Sequence, residues 1–279
     1  MAISLDLSQR TELRLFAALV RDVGQAAPDA PFFLAGALAR DVLLQYAHGI
    51  DTGRQTADVD LALAMESWQR YEALRAELIR SGQFAAVPAE IHKLRFRGSL
   101  EVDFLPFGPI ERPSRTIAWP PDGAFVMTTF GFREAYAATI LVALPDDAQV
   151  HVASLPALAL LKLVAWADRR LIEPGKDAHD LKLILRHYLD AGNADRLYAE
   201  AAALLESADF DYEAAGAWLL GKDMARLLDA EGHARVAGML ADEANESGAL
   251  RLVGDLALDP QVALRLLAAL EDGFMEIRT

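Results

Sequence analysis

The stretch TADVDLALA, residues 56–64, sets Val59, Leu61 and Leu63 in strict alternation with Asp58, Asp60, Ala62 and Ala64. A period of two marks a strand with one apolar face. The opposite face carries two carboxylates at i and i+2, which strand geometry holds roughly 7 Å apart. That pattern describes a solvated strand face. It equally describes a hard divalent-cation site, where the ion relieves the repulsion between the pair.

Upstream, residues 8–27 show helical spacing at Leu13, Phe16, Ala17 and Val20, with Ser8 as the expected cap. The run PFFLAGALARDVLLQYA, 31–47, reads as a short buried strand over Phe32–Ala35, a turn at Gly36 and a helix over 37–47. Downstream, 66–81 is expected to be helical. KLRFRGSLEVDFLPFG, 93–108, reads as a hairpin. A three-residue loop at 97–99 keeps its apolar residues on one face and sets Leu94 opposite Val102 and Lys93 opposite Asp103. Residues 109–137 look loop-rich, and a second hairpin is expected at 138–144 and 149–153 around Pro145-Asp146-Asp147.

From Leu155 the strand signals stop. LPALALLKLVAWADRR is a nearly all-apolar helix interrupted by Lys162, and KDAHDLKLILRHYLD, 176–190, is a second helix. Amphipathic helices follow at 194–206, 212–230, 233–244, 248–257 and 260–274. The expected class is α+β (mixed α/β): a core domain over 1–154 and a helical C-terminal domain over 155–279.

The 279 residues include no cysteine, which excludes disulfides, thiolate metal sites and cysteine nucleophiles. No apolar run reaches the length of a membrane span, and MAISLDLSQRTELRLF lacks the basic patch that leads a signal peptide. A cytoplasmic protein with no membrane partner is expected. The net charge is −14, and residues 191–279 hold 17 acidic against seven basic side chains. That acidity argues against broad, non-specific nucleic-acid binding.

Asp103 is a third carboxylate on a polar strand face, and three aspartates on adjacent strands suit two-metal phosphoryl transfer. Gly36, between a strand and a helix, allows close approach of a phosphate to free N–H groups. Lys162 interrupts an apolar helix, so its ammonium must reach a carboxylate, a phosphate or solvent. Asp177 and Asp180 share a helix face at i, i+3, and they fit equally a tie from this helix to Lys162, Asp168 or Arg169. Lys93 and Arg95 face either Asp103 and Glu101 across the hairpin or incoming phosphates. A path for RNA would draw on Lys93, Arg95, Arg97, Arg112, Arg115, Arg169 and Arg170. The six histidines show no zinc-like spacing.

Gly36-Ala37, Asp58-x-Asp60 and Asp103 together resemble the nucleotidyltransferase superfamily with the polymerase-beta-like fold. LAGALARDVLL, with Arg40-Asp41, is similar to the tRNA CCA-adding and poly(A) polymerase branch. The closer likeness, through the first 190 residues, is to the AbiEii/AbiGii-type toxin nucleotidyltransferases. RQTADVDLAL, VDFLPFG, SLPALALLKLVAWADRR and KDAHDLKLIL carry it.

The resemblance implies a mixed sheet flanked by helices, followed by an all-helical region. It implies transfer of an NMP from an NTP with two Mg²⁺ ions, catalysis and metal binding by Asp58, Asp60 and Asp103, and nucleotide binding by Gly36, Ala37, Arg40, Lys162, Lys176, Asp177 and Asp180. It also implies a type IV toxin–antitoxin setting with a cognate antitoxin and an RNA acceptor such as tRNA. Ala37 stands where the family has serine, which leaves backbone N–H groups to hold triphosphate oxygen. The alternatives are a small-molecule acceptor, as in antibiotic nucleotidyltransferases, or an inactive relative that serves as a binding module.

Overall fold

The computed structural model describes residues 4–53, 58–206, 210–245 and 247–277. Arg54, Gln55, Thr56 and Ala57 of the motif region lie outside the described residues. The chain divides into two units: Met1–Val42 with Gly53–Ser154, and Leu43–Thr52 with Leu155–Thr279.

In the first unit the strands are β1 (Ser4–Asp6), β2 (Phe32–Ala35), β3 (Asp58–Ala64), β4 (Phe84–Ala86), β5 (Lys93–Phe96), β6 (Leu100–Phe107), β7 (Thr116–Ala118), β8 (Val126–Thr128), β9 (Thr139–Ala143) and β10 (Gln149–Ala153). Eight form one mixed sheet in the order β1-β9-β10-β2-β3-β6-β5-β4, and β7 pairs with β8 separately. The helices are α1 (Arg14–Ala26), α2 (Gly36–Asp41), α3 (Trp68–Arg80) and α4 (Phe132–Ala137).

Alternation decides which side of the sheet is sealed. Val59, Leu61, Leu63, Leu94, Phe96, Val102 and Phe104 are all buried on one face, each worth about 2 kcal/mol of transfer free energy. Tyr71, Leu74 and Leu78 of α3 are buried with them, and the Tyr71 hydroxyl donates to the Phe104 carbonyl at 3.0 Å. On the other face, β2 pairs antiparallel with β3 and β3 parallel with β6, so Ala35, Asp60 and Asp103 stand side by side. Farther along that face Phe33 and Phe107 meet Phe132 and Tyr136 of α4, with ring centroids 5.7–6.4 Å apart. Aromatic packing therefore closes one end of this face, and the carboxylates occupy the other.

The hairpin register is the expected one: Leu94 opposite Val102 and Lys93 opposite Asp103. Other elements differ from expectation. Ser8 does not cap the first helix; its N–H donates to Asp6 Oδ1, and the helix opens through a short 3₁₀ turn at Thr11–Leu13. Strand β1 is too short for a period of two to show, and its partner is β9, far along the chain. The helix after Gly36 keeps regular α geometry only to Asp41 and passes into a wider turn over Val42–Tyr46. Residues 109–137 hold the β7–β8 hairpin and α4 rather than loop alone.

The second unit contains α5 (Leu155–Arg169), α6 (Pro174–His187), α7 (Arg196–Glu200), α8 (Ala202–Leu205), α9 (Tyr212–Ala225), α10 (Ala230–Ala244), α11 (Arg251–Asp255) and α12 (Pro260–Glu276). Helix α6 starts at Pro174, a residue suited to the first turn. Helices α9, α10 and α12 open on Asp211, Asp229 and Asp259, whose carboxylates accept backbone N–H groups of the first turn. No helix among the described residues is long and apolar enough to cross a membrane.

Helices α9 and α12 are in backbone contact. A Cβ on Gly221 would collide with the Leu270 carbonyl, and one on Gly273 with the Trp218 carbonyl. Neither obstacle is a side chain that can rotate away. Gly221→Ala and Gly273→Ala are each expected to destabilise the protein by about 2–3 kcal/mol. The measurement is the free energy of urea unfolding followed by circular dichroism.

Candidate active site

Parallel pairing puts Asp60 of β3 directly across from Asp103 of β6, with Asp58 across from Glu101. Adjacent strands lie about 4.8 Å apart. Two ionised carboxylates at roughly 5 Å repel by about 3 kcal/mol at the effective dielectric of a protein surface. Asp58 is exposed and Asp60 half-buried. The Asp103 side chain is 21% exposed. Its Oδ1 is buried and accepts no hydrogen bond among the described residues. Burial first, and then the neighbouring Asp60 charge, push the Asp103 carboxyl up to about 7, against the opposing pull of Lys93.

Gly36 lies against Asp60. It sits at φ +68°, and a Cβ built on it would overlap the Asp60 carboxylate. Both backbone conformation and space therefore require glycine here. Ala37 follows in α2. Arg40, almost fully buried at the far end of that helix, donates to Asp41 Oδ1 at 2.9 Å through Nε.

The rim of the carboxylate face is charged. Lys93 Nζ lies 3.2 Å from Glu101, 3.7 Å from Asp103 and 3.7 Å from Glu90. Arg95 lies 2.9 Å from Glu101. Burial works against the Lys93 charge, but Asp103 and the Glu101 hydrogen bond outweigh it and hold the ammonium above its ordinary range. His92 packs 5.6 Å from the Trp119 ring, and burial lowers its pKa. Sequence reading missed Glu90 and His92, because they lie in a connection without periodicity and reach this face only through the fold.

The remaining expected residues are in the second unit. Lys162 of α5 is 10% exposed at its side chain and lies 3.1 Å from Asp177 Oδ1 and 2.6 Å from Asp180 Oδ2. Asp177 is fully buried, and the Arg169 guanidinium grips it with Nε at 2.6 Å and Nη2 at 2.8 Å. Burial alone would raise the Asp177 carboxyl. The Arg169 hydrogen bonds and the Lys162 charge more than offset that and hold it below 3.8. Lys176 is exposed and lies 3.6 Å from Glu173. The geometry thus gathers Lys162, Asp177 and Asp180 into one buried ionic knot between α5 and α6, and leaves Lys176 outside it.

The sequence profile described as "Nucleotidyl transferase AbiEii toxin, Type IV TA system" matches residues 17–260. The chain belongs to this AbiEii nucleotidyltransferase family. No curated protein matches it. Among solved structures it is similar to an antigenic nucleotidyltransferase-like protein from Paracoccidioides brasiliensis (16% identity, 71% of this chain and 92% of that one, TM-score 0.41). It is also similar to the antibiotic-resistance factor ANT(2'')-Ia (17%, 69% and 96%, TM-score 0.38) and to a CCA-adding enzyme in complex with ATP (14%, 95% and 84%, TM-score 0.26). At these scores the profile, not the structural overlap, decides the family.

The donor set of the nucleotidyltransferase suits a hard cation: oxygen ligands alone, two of them neighbours across a ladder, one with a buried oxygen lacking a hydrogen bond. Among the described residues no three His, Asp or Glu side chains are already gathered as a metal cage. The carboxylates lie together on one face without being closed around a point.

Two outcomes follow. Gly36→Ala is expected to displace the Asp60 carboxylate and lower stability by about 2 kcal/mol or more, read by thermal unfolding beside a nucleotidyl-transfer assay that shows no product. Asp177→Asn removes the buried carboxylate that Arg169 grips and one of the two that face Lys162, which keeps Asp180 at 2.6 Å, at a cost of about 3 kcal/mol at pH 7. Because the folded pKa of Asp177 is depressed, its contribution is complete above about pH 4 and is lost as the pH falls through the lowered value. The gap between wild type and Asp177→Asn in denaturant unfolding should therefore narrow at acid pH.

Proposed function

We propose that this nucleotidyltransferase moves an NMP from an NTP to an acceptor hydroxyl on an RNA such as tRNA, in the cytoplasm, as the toxin of a type IV toxin–antitoxin pair with a cognate antitoxin. The observation that supports the chemistry is Asp60 beside Asp103 on one sheet face, with Gly36 pressed against the Asp60 carboxylate. In this reading residues 1–154 form the nucleotidyltransferase core domain and residues 155–279 the helical domain.

Asp58, Asp60 and Asp103 would hold Mg²⁺, as two ions. When bound, Mg²⁺ supplies neutralisation of phosphate charge and lowers the pKa of the attacking hydroxyl. The acceptor oxygen bonds to the α-phosphorus, the α–β phosphoanhydride bond breaks, and pyrophosphate leaves. Asp103 is the residue we assign to take the hydroxyl proton, since it stands directly across the ladder from Asp60 on the carboxylate face. The amides of Gly36 and Ala37 hold triphosphate oxygen, and Arg40 braces the helix behind them. Within the second unit Asp177 and Asp180 hold Lys162, and Lys176 stands exposed outside that knot.

One observation favours a small-molecule acceptor as the second reading. Several arginines of the expected RNA path already have carboxylate partners: Arg95 with Glu101, Arg97 with Asp22, Arg115 with Glu134 and Arg169 with Asp177. Incubation with each labelled NTP, with total cellular RNA in one arm and a panel of small hydroxyl compounds in the other, separates the two acceptors.

Asp60→Asn and Asp103→Asn are expected to lower label transfer by at least a thousandfold while leaving circular dichroism unchanged. Full activity in either folded variant overturns the assignment.

A further inference from the structure

The nucleotidyl-transfer chemistry has no role for the cation nearest its carboxylates. Lys93 stands opposite Asp103 in the β5–β6 ladder, with its side chain 15% exposed. Its ammonium lies 3.2 Å from Glu101 Oε2, to which it donates, and 3.7 Å from both Asp103 Oδ1 and Glu90 Oε2. Among the described residues no other cation is within ion-pairing distance of Asp103. The Asp103 Oδ1 that Lys93 approaches is the buried oxygen that accepts no hydrogen bond. The ammonium is therefore drawn toward Asp103 without being seated on it.

We propose that Lys93 is a built-in counter-ion that balances Asp103 in the metal-free protein and competes with the divalent cation for that carboxylate, so that it sets metal affinity. The proposal rests on the reading that Asp60 and Asp103 hold the metal. Asp58, Asp60, Glu90, Glu101 and Asp103 bring five carboxylates to one rim, where Lys93 pairs with Glu90, Glu101 and Asp103 and Arg95 with Glu101. Burying part of that charge without a cation is costly. A lysine placed by the hairpin register supplies one during folding, before any metal arrives. The same ammonium then repels a divalent ion that binds beside Asp103. Lys93 is a positioning residue, since it acts on the metal site through Asp103 and Glu101.

The test is calorimetric titration of the full-length protein with MnCl₂ alone at pH 8.0, for wild type, Lys93→Met, Lys93→Arg and Asp103→Asn. Melting temperatures are measured with and without the ion. Lys93→Met is expected to bind Mn²⁺ about tenfold tighter than wild type, to melt lower without metal and to gain more on its addition. Lys93→Arg keeps the charge and should bind within about twofold of wild type. If Lys93→Met does not fold, Lys93→Gln carries the same expectation.

A purely structural hairpin salt bridge would lower the metal-free melting temperature and leave Mn²⁺ affinity unchanged. Unchanged or weaker binding by the folded neutral variant therefore overturns the role of Lys93. If wild type fails to bind Mn²⁺, or Asp103→Asn binds it as well as wild type, the metal reading itself falls, and the Lys93 proposal falls with it.

Discussion

The pairing of β3 with β6 sets two aspartates side by side, and like charges at that distance oppose the pairing that creates them. What holds them is the reverse side of the same strands. Val59, Leu61, Val102 and Phe104 are sealed under α3, and a one-residue slip would turn that apolar set to solvent. The register that satisfies the core is therefore the register that creates the acidic rim. The consequences appear around it: the raised Asp103 carboxyl, the Lys93 ammonium among three carboxylates, and the glycine that leaves room for Asp60.

The second unit solves a different electrostatic problem. Lys162 lies in a helix whose neighbours are nearly all apolar, and an isolated ammonium there would be prohibitive. Asp177 and Asp180, one turn apart on α6, converge on it, and Arg169 covers Asp177 from outside. The opposite charges balance locally, so the two helices pack closely around a buried cation. The close approach of α9 to α12 through Gly221 and Gly273 is the apolar counterpart, in which backbone meets backbone because no side chain intervenes.

Much of this was legible in the chain. The alternation in DVDLALA, the hairpin loop at 97–99 and the change from strand to helix near residue 154 are local patterns, and each follows from the period of one element. The Lys93–Asp103 pairing was also within reach, because hairpin register depends only on neighbouring residues. The Asp60–Asp103 pairing was not. Those residues are 43 positions apart in the numbering, on strands that run parallel, and no local rule chooses which strand lies beside which. Strand β1 escaped notice because three residues are too few to show a period, and its partner β9 lies far along the chain.

By itself the sequence determined the inventory and the local geometry. It held the three aspartates, the glycine, the lysines and the faces on which their elements would place them, because periodicity links residue type to one side of a helix or strand. Tertiary structure alone decided which charges meet. It set Asp103 beside Asp60, brought Glu90 and His92 to the same rim, placed the fork of Arg169 on Asp177 and joined Leu43–Thr52 to the helical unit. Contacts across strands and helices depend on the burial of the whole chain, and that is a property no short stretch of sequence contains.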